Sequence, residues 1–561
     1  MDVLVIGGVA AGPKTAARIA RLRPDARITL LEKGEFLSYA GCGLPYYVSG
    51  EVKAQRELMD TPAGVPRDAA FFRSVKNIEV RTGTEAVEID RPGKRVRARD
   101  HKSGTESWLP YDKLVLATGA VPVIPPIPGT ELGNVFTLHG IHDAEGIRAL
   151  LAERKALDVV ILGGGLIGVE ATEALAAHGC RVTVVEMLPR ILGMLDPEVA
   201  RLVELHMESK GVRVLTGTRA LALEPAPDDP RRVGRVRTEA GEIPAGMVIV
   251  ATGVRPNVDL ARRAGLAIGE MTRAIRVDDR LRTSDPDIHA AGDCAECTDR
   301  LTGRPAFVPL GSTANKHGRV AADNVCGVDS VFPGILGTAV CKVFDFAVAR
   351  TGLTEAAARA EGFDVVTALA PGPDRAHYMP GSQPLLLKLV ADQATGRLLG
   401  VQAVGPGDGA KRVDVAATAI TAGMTLDDVA GLDLAYAPPY APAMDNLITA
   451  ANVARNKRSG LMTGITAEEA RARLDRGDAF VFLDVRSPRE HAEVRLPGST
   501  LVPLGVLRKR LDEIPRDREI VTFCKVSLRG YEAARILQAA GFRDVKVLDG
   551  GVAMWPYAVE R

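Results

Sequence analysis

Two cysteines in the sequence stand where an isolated thiol could act as a nucleophile. Cys42 lies within residues 38–47, about thirty residues after a glycine-rich turn near the N-terminus. Cys524 follows an apolar run and precedes a helical pattern close to the other end of the chain. A thiolate attacks sulfur–sulfur bonds and can form a mixed disulfide, a persulfide or a sulfenic acid. Two such thiols, with two nucleotide-binding patterns beside the first, indicate sulfur redox chemistry.

The composition is typical of a globular protein with several domains. The chain has 561 residues, of which 46% are hydrophobic and 25% charged, and its formal net charge is +1. This length favours three or four domains, and the charge balance gives no reason to expect a nucleic acid or an anionic membrane as partner. We recognise no secretory signal and no apolar run of membrane-spanning length. The seven scattered cysteines favour reduced thiols, so we expect a cytoplasmic protein without structural disulfides.

The first glycine-rich turn follows a short apolar strand at the start of the chain. It reads Gly-Gly-Val-Ala-Ala-Gly over residues 7–12, and Val9 occupies the middle glycine position of the G-x-G-x-x-G pattern. Gly7 permits the tight turn, and Gly12 lets the following helix pack close to the sheet. Glu32 ends the next strand, where a carboxylate binds the ribose hydroxyls of a dinucleotide. We therefore expect a pyrophosphate at the N-terminus of this helix.

A second turn, over residues 163–168, matches the same pattern in full. It reads Gly-Gly-Gly-Leu-Ile-Gly, and Glu186 ends the strand that follows. A carboxylate at this place bonds both ribose hydroxyls and repels a 2′-phosphate, which favours NADH over NADPH. Arg190 lies nearby and keeps NADPH possible. Glu170, on the helix after the turn, is either a solvated helix residue or a neighbour of the nicotinamide.

Strands alternate with helices through the first half of the chain, which predicts parallel, doubly wound sheets. From about residue 332 to residue 446 the pattern changes to a hairpin or meander followed by a helix, as in an α+β domain. The polar stretch 455–460 is typical of a linker, and a last α/β module follows it. The predicted boundaries are 1–120 and 251–325 for the first dinucleotide-binding domain, 121–250 for the second, 326–450 for the α+β domain, 451–463 for the linker and 464–561 for the last module.

Three further segments complete an ordered set. Two strands end in Ala-Thr-Gly, at residues 117–119 and 251–253, and another ends in Gly292-Asp293. Together with the two turns, this order resembles the two-dinucleotide-binding flavoprotein disulfide reductases over residues 1 to about 450. The resemblance implies FAD in the N-terminal Rossmann-like domain, NAD(P)H in the central one, and a homodimer formed through the α+β dimerisation domain. The cofactor-binding residues that it implies are Gly7, Gly8, Ala11, Gly12, Glu32, Lys33, Thr118, Gly119, Gly163, Gly165, Ile167, Gly168, Glu186, Gly253, Gly292, Asp293, Thr313 and Asn315.

Cys42 has no second cysteine five residues later, because that position holds Tyr47. It must therefore work alone, and a helix N-terminus or a positive charge beside it would lower its pKa and activate it. Residues 42–49 could begin such a helix. The run Ser-x-x-x-Cys-Gly-Leu-Pro-Tyr-Tyr from residue 38 resembles the single-cysteine branch of the superfamily. This branch contains coenzyme A disulfide reductases, persulfide reductases, and NADH oxidases or peroxidases.

The single-cysteine branch also implies further site residues. Its α+β domain supplies tyrosines to the partner subunit's thiol, and Tyr378 and Tyr436 match them. The phenols could protonate the leaving sulfur, or they could simply pack at the subunit interface. Gly41 stands where coenzyme A disulfide reductases usually have asparagine, and Met444 stands where a lysine often precedes an aspartate, so a different thiol carrier would fit as well. The residues placed to hold coenzyme A are Lys14, Arg18, Arg21, Ser38 and Arg73.

Cys524 opens a loop between a predicted strand and a predicted helix. Such a loop directs backbone N–H groups at the sulfur, and the helix N-terminus adds positive potential. Lys525 and Arg529 add charge near the thiol and are candidates for binding the substrate. This environment suits a thiolate or an anionic persulfide.

The last module, residues 464–561, resembles a single-domain rhodanese. The cysteine loop carries this resemblance, together with the sequences Leu-Asp-Val-Arg and Leu-Pro-Gly-Ser. It implies that Cys524 carries sulfane sulfur, and that Asp484 and Arg486 hold the loop in place. A catalytically silent docking domain is the alternative.

The expected protein is an FAD- and NADH-dependent reductase of the α/β class, fused to a rhodanese-type sulfurtransferase. It would cleave sulfur–sulfur bonds of coenzyme A persulfides, polysulfides or disulfides through Cys42. One alternative is an NADH oxidase or peroxidase that uses a Cys42 sulfenic acid, and another is a non-catalytic redox sensor. Cys294 and Cys297 form a C-x-x-C pair without further ligands at suitable spacing, so we expect packing residues and no metal. A redox dithiol is the other interpretation of this pair.

Overall fold

The computed structural model describes residues 1–560 and divides them into two compact units. The first unit comprises Met1–Pro189 and Gly211–Ile335, and the second comprises Arg190–Lys210 together with the residues from Leu336 onward. Within the described residues, every helix is too short or too polar to cross a membrane.

The first unit contains two five-stranded parallel sheets, one for each glycine-rich turn. Their strands are apolar and largely buried, as expected where helices cover both faces of a sheet. The register pairs Ile6 with Leu31, so the first turn and Glu32 leave the sheet at the same edge. The strand order of the first sheet is Ile288–Ala290, Lys113–Leu116, Asp2–Ile6, Arg27–Leu31 and Ile78–Arg81. That of the second is Arg213–Leu215, Arg181–Val185, Asp158–Leu162, Met247–Val250 and Val135–Phe136.

Helices connect the parallel strands, as the alternating pattern predicts. The helix after the first turn spans Ala11–Leu22, and the helix after the second spans Leu166–Ala176. The other helices are Leu44–Ser49, Ala69–Lys76, Ile141–Glu153, Asp259–Arg263 and Gly311–Val325, with 3₁₀ turns at Gly41–Gly43 and Gln55–Leu58. Small antiparallel sheets complete the unit: Thr84–Asp90 with Arg95–Asp100 and Glu106–Pro110, Ala220–Pro225 with Val233–Thr238 and Gly241–Pro244, Ala120–Pro122 with Val254–Pro256, and Cys297–Thr298 with Pro305–Ala306.

The second unit begins with the predicted α+β domain. Its antiparallel sheet contains the expected hairpin strands, Pro384–Asp392 and Leu398–Gly405, and the helix Gly409–Thr421 that follows them. The strand order is Ala339–Val343, Phe346–Gly352, Leu398–Gly405, Pro384–Asp392 and Val365–Pro373. The other helices are Pro197–Ser209, Glu355–Ala360, Leu426–Ala430 and Asn446–Arg458.

The C-terminal module is a five-stranded parallel sheet with helices, as the sequence predicts. Its core includes Cys524, and Val453 of the α+β domain packs against this core. The strand order is Gly464–Ile465, Val545–Leu548, Glu519–Phe523, Phe480–Asp484 and Ser499–Leu501. The helices are Ala467–Arg476, Pro488–Glu493, Leu504–Leu507 and Leu528–Ala539, with 3₁₀ turns at Leu511–Glu513 and Gly551–Met554.

The predicted linker is wrong over its first half, because helix Asn446–Arg458 runs through it. The polar side chains that suggested a linker have partners far away in sequence. Arg455 pairs with Asp427 at 2.6 Å, and Arg458 donates to two carbonyls of the α+β hairpin. The connection to the last module is therefore reduced to residues 459–463.

The segment 190–210 lies in the second unit, whereas the sequence placed it in the central dinucleotide-binding domain. A buried charge cluster explains the difference. Lys388, only 1% exposed, pairs with Asp196 and Glu198 of this segment and with Glu355. Burial alone would lower the pKa of Lys388, but the three carboxylates outweigh it and the net shift is upward. Separating this segment from the unit would remove two of the three carboxylates that pair with the buried Lys388, which is strongly unfavourable.

Candidate active site

Cys42 lies in the 3₁₀ turn Gly41–Gly43, which leads directly into helix Leu44–Ser49. Leu44 and Tyr47 are buried and anchor this short helix, while Cys42 is exposed. All seven cysteines are free thiols. The fold therefore presents a single accessible sulfur on an anchored turn.

The N-terminus of helix Gly311–Val325 faces this sulfur. The backbone N–H of Gly311 donates to Cys42, and a Cβ placed on Gly311 would lie 3.7 Å from the Cys42 Sγ. The free N–H groups and the dipole of this 15-residue helix favour negative charge at its start. The sequence predicted such help from a helix beginning at residues 42–49, but the helix that faces the sulfur comes from the far end of the unit.

Other surroundings of Cys42 oppose the thiolate. Burial of the sulfur among its neighbours raises the pKa of Cys42, and the carboxylates of Glu170 and Asp293 raise it further. The bond from Gly311 lowers the pKa but does not outweigh these causes. The net shift of the Cys42 pKa is therefore upward, opposite to the lowering that a helix N-terminus by itself would cause.

The charge of Glu170 acts on the Cys42 thiol. The Tyr46 hydroxyl donates to Glu170 Oε1 over 3.5 Å. Burial raises the pKa of Glu170 to about 7; the bond from Tyr46 lowers this pKa, and the charge of Glu173 raises it. A carboxyl with this pKa holds a proton about half of the time at neutral pH. Glu170 is therefore not a simply solvated helix residue, and its place beside the nicotinamide stays a prediction.

The first glycine turn has the shape that a dinucleotide pyrophosphate requires. A Cβ on Gly12 would lie 1.8 Å from the Gly7 carbonyl oxygen, so the helix can pack this closely only with glycine. Gly7 has a φ of +110°, which suits glycine alone. Glu32 Oε2 accepts a hydrogen bond from the Gly8 N–H at 2.6 Å, which holds the carboxylate beside the turn. This geometry fits the adenosine end of FAD.

The Gly-Asp segment meets the same turn. A Cβ on Gly292 would lie 3.0 Å from the Ala11 side chain, and burial raises the pKa of the adjacent Asp293 to about 6. His317 is 1% exposed and accepts from the Gly292 N–H at 3.3 Å. Its Nε2 is buried and has no hydrogen-bond partner among residues 1–560. Buried polar groups gathered at this turn fit the ribityl and phosphate part of a bound flavin.

The second glycine turn repeats the design. A Cβ on Gly168 would lie 2.1 Å from the Gly163 carbonyl oxygen, whereas a Cβ on Gly165 would meet no atom within 4 Å. Glu186 Oε2 accepts from the Gly164 N–H at 2.7 Å. The open space at Gly165 fits the pyrophosphate of a nicotinamide dinucleotide, and the contact of Glu186 with its ribose stays a prediction.

The remaining predicted cofactor residues lie on the same turns or on the helix that faces Cys42. Lys33 is exposed and pairs with Glu85 at 3.4 Å. Thr118 donates to the Asn257 carbonyl at 2.6 Å. The others are the positive-φ glycines Gly119 and Gly253, the half-buried Ile167, the buried Thr313 and the exposed Asn315. Their contacts with a cofactor stay a prediction.

The residues predicted to hold coenzyme A differ in availability. Arg18 pairs with the buried Asp323 at 2.7 Å, so its charge is already engaged by a partner 305 residues away. Within residues 1–560, three predicted cations have no ion pair: the half-buried Lys14 and the exposed Arg21 and Arg73. Ser38 is half-buried, with a φ of +49°.

The two candidate tyrosines lie on the surface of the second unit. Tyr378 is 65% exposed and Tyr436 is 53% exposed, so both could reach a second molecule. The segment that carries Tyr436 ends at Asp445, which pairs with the buried Arg412 at 3.0 Å. Asp445 also accepts from the Leu447 N–H and so begins helix Asn446–Arg458.

The Cys524 loop joins strand Glu519–Phe523 to helix Leu528–Ala539. Cys524 is buried, with 1% of its surface exposed, and Ser527 has a φ of +79° that non-glycine residues rarely adopt. Lys525 is exposed. The loop is therefore a tightly held turn around a largely covered sulfur.

Arg529 does not supply the free charge that the sequence suggested. Its guanidinium donates to both oxygens of Glu490, at 2.6 and 2.8 Å, and also to the sulfur of Cys524. Arg529 lowers the pKa of Glu490 to about 2, so this pair stays charged. Lys525 is then the unpaired cation of the loop among the described residues, and Arg529 links the loop to the neighbouring helix.

Asp484 and Arg486, which the sequence predicts to hold the Cys524 loop, pair with each other and with the segment that follows them. Both are buried, and Arg486 pairs with Asp484 at 2.6 Å. Arg486 also donates to the carbonyls of Glu490 and Val494, while Asp484 contacts His491 Nδ1 at 2.9 Å. This network fixes the segment that carries Glu490.

The C-x-x-C pair is a pair of packing residues. Cys294 donates to the Leu116 carbonyl and Cys297 to the Ala306 carbonyl. The two residues pack into different hydrophobic clusters. Burial raises the pKa of Cys297 to about 12, so it is not a poised thiolate.

Three residues at the two thiol sites were not predicted from the sequence. Gly311 contacts Cys42 only because two distant segments meet, and Glu490 engages Arg529 for the same reason. Tyr46 lies four residues after Cys42, a helical spacing that could have placed both on one face.

Comparison with known proteins agrees with this architecture. Residues 1–316 match the family pyridine nucleotide-disulphide oxidoreductase, residues 338–448 its dimerisation domain, and residues 466–557 the rhodanese-like domain. A Pyrococcus horikoshii protein, NAD(P)H coenzyme A polysulfide/persulfide reductase, is 42% identical over 80% of this chain and 98% of its own. A Methanocaldococcus jannaschii NADH oxidase is 35% identical over 82% of this chain and 100% of its own. The solved structure of an NAD-dependent persulfide reductase from A. fulgidus has 48% identity and a TM-score of 0.93, and covers 99% of this chain and 100% of that one.

The chain belongs to the pyridine nucleotide-disulphide oxidoreductase family and carries a C-terminal rhodanese domain. This confirms the predicted α/β fold, and it confirms an oxidoreductase that uses FAD and NAD(P)H. It disfavours the non-catalytic redox sensor. The sulfur compound that reacts at Cys42 and at Cys524 depends on the surroundings of each thiol.

Proposed function

We propose that this enzyme cleaves the sulfur–sulfur bond of a low-molecular-weight persulfide, polysulfide or disulfide through Cys42. The observation that carries the proposal is the exposed, unpaired Cys42 facing the N-terminus of helix Gly311–Val325, with the charges of Glu170 and Asp293 acting on its thiol. A lone accessible thiol can form a mixed disulfide or persulfide with a substrate, but it cannot close a disulfide of its own. Bound FAD and NADH would supply the two electrons that return Cys42 to the thiol.

The residues around Cys42 divide the work of this reaction. The Gly311 N–H stabilises the thiolate, and Glu170, with a pKa of about 7, can take the thiol proton. The thiolate attacks one sulfur of the substrate, a Cys42–sulfur bond forms, and the second sulfur leaves as a thiolate or hydrosulfide. Tyr378 and Tyr436 of a second subunit would protonate that leaving group. The net change is one thiol and one hydrogen sulfide, or two thiols, for each NADH and proton consumed.

Coenzyme A is the carrier that we favour. The P. horikoshii relative is named for a coenzyme A polysulfide or persulfide. In this chain the free cations Lys14, Arg21 and Arg73 suit a phosphorylated carrier. Arg18, already paired with Asp323, would contribute less than the sequence suggested.

Cys524 would carry sulfane sulfur as a persulfide. Backbone N–H groups of its loop, together with Arg529, suit the anionic persulfide. Transfer would break the carrier's sulfur–sulfur bond, form a Cys524 persulfide and release the carrier thiol. The fused module would thereby exchange sulfur with the same carrier that Cys42 reduces.

Three further properties complete the proposal. Glu186 beside the second turn favours NADH over NADPH. The exposed tyrosines and the dimerisation domain favour a homodimer. Seven free thiols suit the reducing cytoplasm.

Stopped-flow turnover of the holoenzyme tests the proposal. Coenzyme A persulfide, coenzyme A disulfide, hydrogen peroxide and oxygen would be compared as acceptors, with Cys42→Ser and Cys524→Ser variants beside the wild type. We expect fast NADH oxidation with the persulfide and loss of turnover in Cys42→Ser. Mass spectrometry would show the carrier attached to Cys42. Fast turnover with peroxide or oxygen alone would overturn the proposal.

The second candidate is an NADH oxidase that uses a Cys42 sulfenic acid. The exposed thiol permits it, and the M. jannaschii relative bears that name. It has less support, because that relative is less similar than the persulfide reductase relatives and because a fused rhodanese domain serves sulfur chemistry. A sulfenic acid detected on Cys42 in peroxide-treated enzyme, together with rapid NADH oxidation, would favour this second candidate.

A further inference from the structure

A buried ion pair connects the α+β domain to the rhodanese domain. Lys457, in the last turn of helix Asn446–Arg458, lies 2.6 Å from Asp549 Oδ2, and the two side chains are 11% and 6% exposed. Gly464 leaves room for the pair, because a Cβ there would lie 2.7 Å from the Lys457 Nζ and from both Asp549 oxygens. The next residue of the helix, Arg458, donates to two hairpin carbonyls, so the end of the helix is fixed on both sides.

Asp549 belongs to the segment that supports the Cys524 loop. It follows strand Val545–Leu548, and its own N–H donates to the Ile465 carbonyl at 2.9 Å. The two glycines after it have positive φ and turn the chain beneath the loop. The N–H groups of Val552 and Ala553 then donate to the carbonyls of Cys524 and Lys525, each at 2.9 Å.

A second bond ties the same segment to the strained part of the loop. The Ser527 hydroxyl donates to the Leu548 carbonyl at 2.9 Å, and Ser527 is the residue with a φ of +79°. A non-glycine residue keeps such a conformation only where its surroundings impose it. The position of residues 548–553 therefore decides whether the loop that carries Cys524 keeps its conformation.

Lys457 controls the ionisation of Asp549 and hence its place. Burial raises the pKa of Asp549, and Lys457 opposes that rise as charge and as hydrogen-bond donor. Lys388 also lowers this pKa and Glu355 raises it, but Lys457 is the partner in contact. Without Lys457, Asp549 would take a proton or move toward water, and the turn beneath the Cys524 loop would move with it.

We propose that Lys457, through Asp549, is a positioning residue for sulfur transfer at Cys524. The inference rests on the proposed role of Cys524 as a sulfane-sulfur carrier. The α+β domain would therefore do more than carry the rhodanese domain, because one of its lysines keeps the sulfur-binding loop in its reactive shape. Cys42 chemistry would not depend on this pair.

The test uses full-length holoenzyme with Lys457→Met, Lys457→Arg and the neutral double variant Lys457→Met/Asp549→Leu. Arg455→Met is the matched control, since it removes an exposed ion pair two residues away on the same helix. One readout is sulfur transfer from coenzyme A persulfide to cyanide through Cys524. The other is the pH profile of Cys524 alkylation by iodoacetamide, followed by mass spectrometry of its peptide.

We expect Lys457→Met and the double variant to transfer sulfur at least tenfold more slowly and to alter the pH profile of Cys524 alkylation. Lys457→Arg should recover most of the rate, Arg455→Met should match the wild type, and NADH-dependent reduction through Cys42 should be unchanged in all. The double variant has no unpaired buried charge, so it separates positioning from loss of fold. Wild-type transfer and alkylation in the double variant would overturn the inference. A wild-type enzyme that takes up no sulfur on Cys524 would instead defeat the proposed function, and the alkylation profiles would still judge the role of Lys457.

Discussion

Replacing Glu170 with glutamine tests whether its charge restrains the Cys42 thiol. Glu170 is one of two carboxylates that raise the pKa of Cys42, and its own pKa is about 7. Its effect must therefore depend on pH in a particular way. Below about pH 6 most of the wild-type Glu170 is already neutral, and above about pH 8 most of it is charged. The variant should differ from the wild type only where the wild-type carboxyl is charged.

The size of the effect follows from two opposing terms. Removing one like charge near the thiol lowers its pKa by about 0.5 to 1 unit at an effective dielectric constant of about 20. The thiolate fraction then rises roughly three- to tenfold. A less basic thiolate is a weaker nucleophile, with a Brønsted coefficient of about 0.4 to 0.5, which leaves a net gain of about two- to fourfold.

The assay is alkylation of Cys42 by N-ethylmaleimide in the oxidised holoenzyme, measured by mass spectrometry of the Cys42 peptide from pH 5.5 to 9. The ratio of the Glu170→Gln rate to the wild-type rate should rise from one to its plateau with a midpoint near pH 7. Glu173→Gln, one turn along the same helix, should leave the rate above pH 8 at the wild-type value. A ratio independent of pH, or a slower Glu170→Gln variant, would refute the reasoning.

The structure supports three further predictions. Burial lowers the pKa of His289 to about 4, so between about pH 6.5 and pH 4 the unfolded chain binds a proton that the folded chain does not. The free energy of unfolding should therefore be highest above this range and fall by up to about 3 kcal/mol as the pH is lowered through it. His289→Asn should flatten this pH dependence in urea unfolding. Arg412→Met leaves Asp445 buried without its cation and should cost about 3 to 5 kcal/mol, visible as a lower melting temperature, with a smaller loss when Asp445→Asn is added. Gly165→Ala should keep the wild-type melting temperature yet raise the KM for NADH at least tenfold. Gly168→Ala should lower the melting temperature, because its Cβ would meet backbone atoms whereas that at position 165 would not. Equal melting temperatures of the two variants would contradict this.

Local patterns in the sequence were sufficient to predict the sheets and the two glycine-rich turns with their carboxylates. The strand before Gly7, the packing of Gly12 and the carboxylate of Glu32 depend on neighbours in sequence or on one repeated βαβ unit. The same holds for the second turn and for the strands of the last module. Short-range rules govern these features, so a single sequence reveals them.

The features that the sequence could not supply depend on distant partners. Arg18 is adjacent to Asp323 only in the folded chain, and Arg529 meets Glu490 across the module. The linker prediction failed because polarity at residues 455–458 was interpreted as exposure to solvent. The sequence could not give the direction of the Cys42 pKa shift, because Asp293, which raises this pKa, lies 251 positions after Cys42 in the chain.

The way in which helix Asn446–Arg458 joins the two domains of the second unit has a practical consequence. Val453 packs against the rhodanese core, and Lys457 forms a largely buried ion pair with Asp549. A chain that ended at residue 458 would therefore expose an apolar patch beside a lysine without its ion-pair partner. Aggregation or a lower melting temperature of such a fragment would result from this exposed surface and not from the loss of the sulfurtransferase module. The full-length Cys524→Ser variant, which lacks the thiol but keeps this interface, is the better reference.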